Sequence, residues 1–285
     1  MTLLAAYSLD GPLALGEPVV HADDEGFLRG RAVFETLRVY NGTAFRLRKH
    51  LHRLAESAHA LDLPEPDAGS FSRLAQSAVR EVGANDAVLR LLWTPGREGN
   101  ARPTGIALVS SLPSELEQVR ARGLRLAVSD WSPGSRLAAA KSTSYAENMA
   151  ATREAQARGA DDALLVGPRR TVLEAPTANV WFREGNCLLT PSLDHPILAG
   201  VTRGVLLELA GEAGFQVKEG AFGIERVAES EEIFLCSSVR EVMPVTMLDD
   251  RAIGDGRPGD GAQKLQGELR ALATREARSI TLEPE

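Results

Sequence analysis

Lysine is scarce in this chain. Of its 32 basic residues only Lys49, Lys141, Lys218 and Lys264 are lysines. Lys141 sits in Ala138-Ala139-Ala140-Lys141-Ser142-Thr143-Ser144-Tyr145, a run of small, weakly polar residues with no flanking charge. A lysine in such surroundings can shed solvent, lower its pKa and attack a carbonyl, which is what a Schiff-base lysine must do. An isolated lysine is ordinarily a solvated surface charge. What favours chemistry here is the set of segments further along the chain.

Four other segments carry complementary chemistry. Leu198-Ala199-Gly200-Val201-Thr202-Arg203 opens a predicted helix. Its free amides and the Thr202 hydroxyl would make an anion cradle, unless Thr202 simply caps the helix. Cys236-Ser237-Ser238-Val239-Arg240-Glu241 follows the apolar run Ile233-Phe234-Leu235, so hydroxyls and amides would gather at a strand end. Arg53 lies beside the apolar face of a predicted helix and can point inward or into solvent. Glu174 lies in Thr171-Val172-Leu173-Glu174-Ala175-Pro176-Thr177-Ala178-Asn179, as a surface charge or as the partner of a buried cation. A lysine nucleophile, a phosphate cradle with an arginine, and an inward carboxylate are the parts that pyridoxal phosphate needs. Lys141 would hold the aldehyde as an imine. Arg53, Val201, Thr202 and Ser238 would take the 5′-phosphate. Glu174 would keep the pyridine nitrogen protonated, so that the ring withdraws electrons.

These residues have to be positioned by the elements around them. Residues 34–40 alternate and are followed by Asn41-Gly42 and the short run 43–47, the pattern of a hairpin with a type I′ turn. Leu51, Leu54, Ala58 and Leu61 lie on one face of a helix that ends before Pro64. Residues 72–82 read as a second helix, and 87–93 and 105–110 as buried strands. The Ser/Glu/Gln/Arg-rich stretch 111–122 reads as a linker. Beyond it, strands are expected at 124–128, 163–166, 172–174, 179–182, 188–190, 232–235 and 242–248. Helices are expected at 147–158 and 200–213, with a last one marked by Leu265, Leu269 and Leu272. The order lacks a regular βα alternation. That predicts an α+β protein in two parts, a small N-terminal domain over 1–116 and a larger cofactor-binding domain over 117–285.

Composition narrows the function classes. The chain has 285 residues, 44% hydrophobic, and its net charge of −7 argues against nonspecific nucleic-acid binding. Cys187 and Cys236 are too few for a disulfide framework and fit a reducing, cytoplasmic setting. No apolar run approaches a membrane span, and the N-terminus lacks the basic start of a signal peptide. The five histidines show no metal spacing, so no metal is expected. Gly254-Asp255-Gly256-Arg257-Pro258-Gly259 matches a dinucleotide fingerprint literally. Its aspartates would repel a pyrophosphate and Pro258 removes an amide, so it reads as a solvated loop.

Taken in order, the segments resemble the class IV aminotransferases, the fold-type-IV pyridoxal-phosphate enzymes. That family includes branched-chain and D-amino acid aminotransferases, (R)-amine transaminases and aminodeoxychorismate lyases. Residues 30–38 (Gly-Arg-Ala-Val-Phe-Glu-Thr-Leu-Arg) are similar to its first signature, and residues 45–54 to its phosphate-arginine segment. Lys141 to Tyr145, Glu174 with Asn179, residues 200–203 and residues 238–244 follow in register. The resemblance implies a homodimer with the site between two domains, Lys141 as the catalytic residue, and Arg53, Glu174, Asn179, Val201, Thr202 and Ser238 around the cofactor. Arg90 matches a carboxylate-network arginine of the branched-chain group. Arg38, Arg90 and the amides of Val239 and Arg240 are therefore candidates for the substrate carboxylate. Phe34, Trp93 and Tyr145 are candidate pocket walls, with core packing as the alternative for each. The Arg-x-His carboxylate trap of some D-amino acid aminotransferases is replaced by Asn100-Ala101-Arg102. The implied activity is amino transfer between an amino acid or amine and a 2-oxo acid. The alternatives are an aminodeoxychorismate lyase giving 4-aminobenzoate and pyruvate, and a non-catalytic cofactor-binding protein.

Overall fold

The computed structural model describes residues 1–83, 85–99, 102–131 and 137–281, with side chains described up to 278. The chain forms two compact units. One contains Met1–Ser114, Ala139–Ser144 and Leu272–Glu285; the other contains Glu115–Ala138 and Tyr145–Ala271.

The first unit is built from β1 (Leu3–Ser8), β2 (Gly11–Leu13), α1 (Glu25–Arg29), β3 (Val33–Tyr40), β4 (Thr43–Ala44), α2 (Leu47–Ala60), α3 (Ala68–Val82), β5 (Ala87–Thr94) and β6 (Thr104–Ser110). Its six strands pair antiparallel in the order β2-β1-β6-β5-β3-β4. The β3–β4 turn has Asn41 at φ 48° and Gly42 at φ 73°, the two positive values that a type I′ turn demands. Cross-strand register pairs Val33 with Trp93, Glu35 with Leu91, Leu37 with Leu89 and Val39 with Ala87. With period two, these residues share one face. Leu51, Leu54 and Ala58 of α2 and Phe71, Leu74 and Ala75 of α3 join them in one apolar core. Phe34, Thr36, Arg38 and Arg90 fall on the opposite face. Helix α3 starts earlier than the apolar periodicity suggests. Asp67 caps it by accepting from the Ser70 N–H at 2.7 Å, and Gly83 ends it at φ 61°.

The second unit holds α4 (Leu116–Arg122), β7 (Leu124–Asp130), α5 (Ala146–Ala157), β8 (Asp162–Val166), β9 (Glu174–Ala175), β10 (Ala178–Glu184), β11 (Cys187–Pro191), α6 (Val201–Glu212), β12 (Gln216–Gly220), α7 (Ile224–Ala228), β13 (Glu232–Ser237), β14 (Glu241–Leu248), β15 (Arg251–Ala252) and most of α8 (Asp260–Thr281). The sheet is mixed, in the order β12-β11-β10-β13-β14-β7-β8, with β9 on β10 and β15 on β14. Val180, Phe182, Leu189, Leu235 and Val245 lie in its apolar core. This is the α+β composition expected from the irregular order of elements.

The structure corrects the linker expected at 111–122. Residues 116–122 form a helix whose Arg120 reaches Glu241 and the carbonyls of Arg240 and Val242. Those partners lie about 120 positions away in the chain, so no local pattern announces them. The expected strand at 172–174 is also displaced. Val172 makes an isolated bridge to Val166, and the ladder proper begins at Glu174. Among the described residues no helix is long and apolar enough to cross a membrane.

Candidate active site

In the first unit the lysine is pinned by its backbone. Segment Ala139–Ser144 runs antiparallel along the start of β3 and bridges Val33 to Ser142. The Phe34 N–H donates to the Lys141 carbonyl at 3.0 Å, and the Thr143 N–H donates to the Ala32 carbonyl at 2.8 Å. On the other side, the Lys141 N–H donates to Ser57 Oγ of α2 at 3.0 Å. Lys141 is half-buried, and its Nζ stands 4.4 Å from the centre of the Phe34 ring. Its main chain has one path while its amine stays over an aromatic face.

One helical turn from Ser57, Arg53 points inward and is 7% exposed. Its Nε donates to Glu35 Oε1 at 2.7 Å and its Nη2 to Glu35 Oε2 at 2.6 Å. His50 Nδ1 lies 2.7 Å from the same Oε2. Burial alone would push the Glu35 carboxyl up, but the charge and hydrogen bonds of Arg53, with His50 adding to them, hold it at about 2. Burial lowers the His50 pKa below its ordinary value, against the pull of Glu35. His50 is therefore a neutral donor to Glu35 at neutral pH. His52, two positions on, is exposed.

Of the candidate substrate residues in this unit, Phe34, Arg38 and Arg90 share the sheet face away from the core. The Arg38 guanidinium stacks 4.9 Å from the Tyr40 ring centre. The buried Nε of Arg90 has no hydrogen-bond partner among the described residues. Trp93 departs from the pocket-wall expectation. It lies on the core face, edge-on to Phe71, with its indole N–H donating to the Pro64 carbonyl at 2.7 Å. Core packing is its role. Of Asn100-Ala101-Arg102, the first two lie outside the described residues.

In the second unit, register draws the remaining segments together. Asn179 pairs with Glu174 across the β9–β10 hairpin and with Cys236 across β10–β13. The Asn179 side chain donates to Glu174 at 3.0 Å and to the Leu198 carbonyl at 2.9 Å. The Leu198 N–H donates to Glu174 at 3.1 Å. Glu174 is thus a buried, fixed carboxylate. Gly200 is the N-cap of α6 and offers no side chain to the helix, so Thr202 is not the cap. A Cβ on Gly200 would collide with Asn179 Oδ1. Only glycine lets the helix start come this close to Asn179, with its first amides outside the intrahelical ladder. Val201 and the buried Thr202 occupy that first turn. Two residues past Cys236, Ser238 lies in the turn between β13 and β14. Burial pushes the Cys236 thiol up to about 12, so it is an inert core group.

The turn at 237–240 is anchored on both sides. Arg240 Nη1 donates to the buried Asp162 at 2.7 Å. The Arg240 N–H lies 3.4 Å from Ser237 Oγ. Glu241 is fully buried and left-handed at φ 57°. Arg120, Arg270 and Gln266 donate to it at 3.1, 2.7 and 2.6 Å. Tyr145 is half-buried at the start of α5.

Each unit by itself fits part of pyridoxal phosphate. The first offers a lysine with a pinned backbone and a fixed guanidinium. The second offers a helix start with free amides, the buried Thr202 and a buried carboxylate. Sequence reasoning missed Glu35, His50 and Ser57, which hold the arginine and the lysine. The signal was present for Glu35, since an acid in phase with Val33, Leu37 and Val39 is a charge at a core position. It also missed Glu241, Arg120 and Arg270, for which no local signal exists.

The amino-transferase class IV family profile matches residues 32–248. The chain belongs to the class IV aminotransferases. A bifunctional aminodeoxychorismate lyase / D-amino acid transaminase of Mycobacterium tuberculosis is 37% identical over 266 residues, covering 86% of this chain and 92% of that protein. A branched-chain-amino-acid aminotransferase of Pseudomonas aeruginosa is 30% identical over 83% of this chain and 82% of its own length. Among solved structures, the PLP-bound form of a hypothetical aminotransferase from M. tuberculosis superposes with a TM-score of 0.89 at 34% identity, covering 95% of this chain and 99% of that one. A fold IV transaminase from Curtobacterium pusillum gives 0.85 at 36% identity, over 95% and 92%. The fold of this class IV aminotransferase is accordingly fold type IV.

Proposed function

We propose that this class IV aminotransferase moves an amino group between an amino acid or amine and a 2-oxo acid, with pyridoxal 5′-phosphate as cofactor. The observation that carries the reading is Lys141, a half-buried amine whose backbone is bonded to β3 on one side and to α2 on the other. When bound, the cofactor supplies an electron sink for the carbanion left when the substrate Cα–H breaks. Lys141 Nζ would be the covalent anchor for the cofactor aldehyde and, once a substrate amine has displaced it, the free base for the Cα proton. Arg53, Val201, Thr202 and Ser238 bind the phosphate. Glu174, fixed by Asn179 and the Leu198 amide, would accept from the ring nitrogen and keep it protonated. Arg38, Arg90 and the amides of Val239 and Arg240 take the substrate carboxylate. The buried Arg90 Nε, which no described residue satisfies, favours this role for it. Phe34 and Tyr145 wall the pocket.

We read the enzyme as a cytoplasmic homodimer. Phe27 and Leu28 on α1 stand 72% and 60% exposed, apolar surface suited to cover by a second copy. Cys187 and Cys236 are both free thiols, suited to a reducing compartment.

One observation favours a second reading, since the M. tuberculosis relative carries a lyase as well as a transaminase activity in its name. A single titration separates the two. The visible absorbance of cofactor-loaded enzyme is followed as single D- and L-amino acids and (R)-amines are added, then pyruvate or 2-oxoglutarate. We expect a donor-dependent loss of colour that a keto acid restores. If no donor gives that cycle while aminodeoxychorismate yields 4-aminobenzoate and pyruvate, the enzyme is a lyase. If neither happens, the fold only binds the cofactor.

A further inference from the structure

Position 35 is an unexpected place for a charge. By strand alternation it lies among Val33, Leu37, Val39, Leu89 and Leu91, in the core beneath α2 and α3. Glu35 is fully buried, and an uncompensated carboxylate there would be strongly destabilising. Both of its oxygens are used. Arg53 takes them through its Nε–Nη2 edge, and His50 meets Oε2 from one turn earlier in α2. A bidentate pair of this kind gives a guanidinium a single plane and a single direction. A further acceptor on Arg53, such as a phosphate, is then met mainly from the Nη1 side. The same helix face carries Ser57, four residues on, which accepts from the Lys141 amide. Arginine and lysine are therefore both set by α2 lying on β3.

We propose that Glu35, oriented by His50, is a positioning residue for cofactor capture: it holds the Arg53 guanidinium in the one orientation that receives the phosphate. The inference rests on the reading of Arg53 as a phosphate ligand. A hydrophobic residue at 35 would fill the core as well, but it would release Arg53 to choose among rotamers and solvent. The charge at position 35 is thus explained by the group it holds rather than by stability.

The test compares two probes on the protein stripped of cofactor. One is pyridoxal phosphate; the other is pyridoxal, which has the aldehyde but no phosphate. The ratio of their affinities isolates the phosphate contribution, and thermal unfolding of the same apo samples reports fold damage. Glu35→Gln keeps the shape and removes the charge. We expect its affinity ratio to fall by about tenfold, the size of one charge-assisted contact. In an Arg53→Ala background, Glu35→Gln should change the ratio no further, because the group it positions is gone. A purely structural glutamate would lower the melting temperature and leave the ratio at its wild-type value, and that result overturns the proposal. If Arg53→Ala itself leaves the ratio unchanged, it is the phosphate reading of Arg53 that fails. Should Glu35→Gln not fold, His50→Leu carries the same readout, because it removes the donor that orients Glu35. A lowered ratio in that variant supports the proposal, and an unchanged one overturns it.

Discussion

Each unit buries a glutamate beside candidate site residues and answers it with arginine, but the two are put to different use. In the first unit, Glu35 holds a side chain, the Arg53 guanidinium that is proposed to meet the phosphate. In the second unit, Glu241 holds main chain. Arg120 and Arg270 grip it, and Arg120 also takes the carbonyls of Arg240 and Val242, so the strained turn before β14 keeps its amides in place. A buried ion pair gives little net stability, whereas breaking one strands a charge. Neither pair is explained well as a stabiliser. Both are explained by the precision they impose on a neighbour.

The largest effect tests whether that precision serves the lysine at all. Lys141→Ala should lower turnover by about ten-thousandfold or more, since nucleophile and base are lost together. Borohydride reduction of the loaded enzyme, followed by peptide mapping, should place the label on Lys141. Label on Lys49, Lys218 or Lys264 would remove the centre from both halves of the comparison. Next come the carboxylate partners. Arg53→Ala and Glu241→Ala each strand buried charge and should each cost about 3–5 kcal/mol of unfolding free energy. They should part company in binding. Arg53→Ala should weaken phosphate-dependent affinity selectively, whereas Glu241→Ala, by loosening a turn, should weaken cofactor and substrate carboxylate together. If both variants show the same pattern, the distinction between side-chain and main-chain support is wrong.

Acid gives a somewhat smaller effect, and its sign is fixed by the lowered pKa values. Glu35 sits at about 2 when folded, so its contribution is present above the unfolded value near 4.5 and fades as pH falls toward 2. The shift corresponds to about 3 kcal/mol. His50 faces Glu35, Arg53 and Lys141, and its folded pKa also lies below the ordinary value. Below about pH 6.5 the unfolded chain takes that proton first, which again favours unfolding. Stability measured by denaturant at pH 7, 5 and 3 should fall at each step, and Glu35→Gln should flatten the lower part. A wild-type curve flat between pH 5 and 3 would contradict the burial of this charge. The smallest effect is steric. Gly200→Ala puts a Cβ against Asn179 Oδ1, and overpacking of this kind costs about 1–3 kcal/mol. Its turnover loss should resemble that of Glu174→Gln, because both disturb the same carboxylate. Undiminished turnover in both variants would detach Glu174 from the chemistry.

Much of this was legible in the residues. Asn41-Gly42 specified its hairpin because positive φ at two consecutive positions leaves few other choices. The apolar spacing of Leu51, Leu54 and Ala58 placed α2, and the inward option for Arg53 followed from its place beside that face. Glu174, residues 200–203 and Ser238 stand out by local chemistry and Asn179 by the family resemblance; Asn179 pairs with Glu174 and Cys236 and bonds the Leu198 carbonyl ahead of 200–203. What was illegible is what depends on distant partners. Helix α4 looked like a polar linker because Arg120 finds Glu241 only in the folded chain. For Trp93 the sequence leaves pocket wall and core packing open, because periodicity does not say which face of a strand is the core; the fold settles on core packing. Helix α3 lost its first turn because Asp67, a cap and not an apolar residue, marks its start.

The pinning of Lys141 bears on how the protein comes to life. The bonds that tie the Lys141 segment to β3 and α2 span long stretches of chain; Ser57 and Lys141 lie 84 positions apart, and the Thr143 hydroxyl and Gly30 carbonyl 113 apart. Contacts of such separation form late, after local helices and hairpins. During synthesis, β3 and α2 leave the ribosome well before the lysine that they seat, and most of the first unit must wait for a segment that follows β7. Until that segment returns, Lys141 is an ordinary flexible amine. Its amine takes its place over the Phe34 ring only once residues 139–144 have joined β3 and α2.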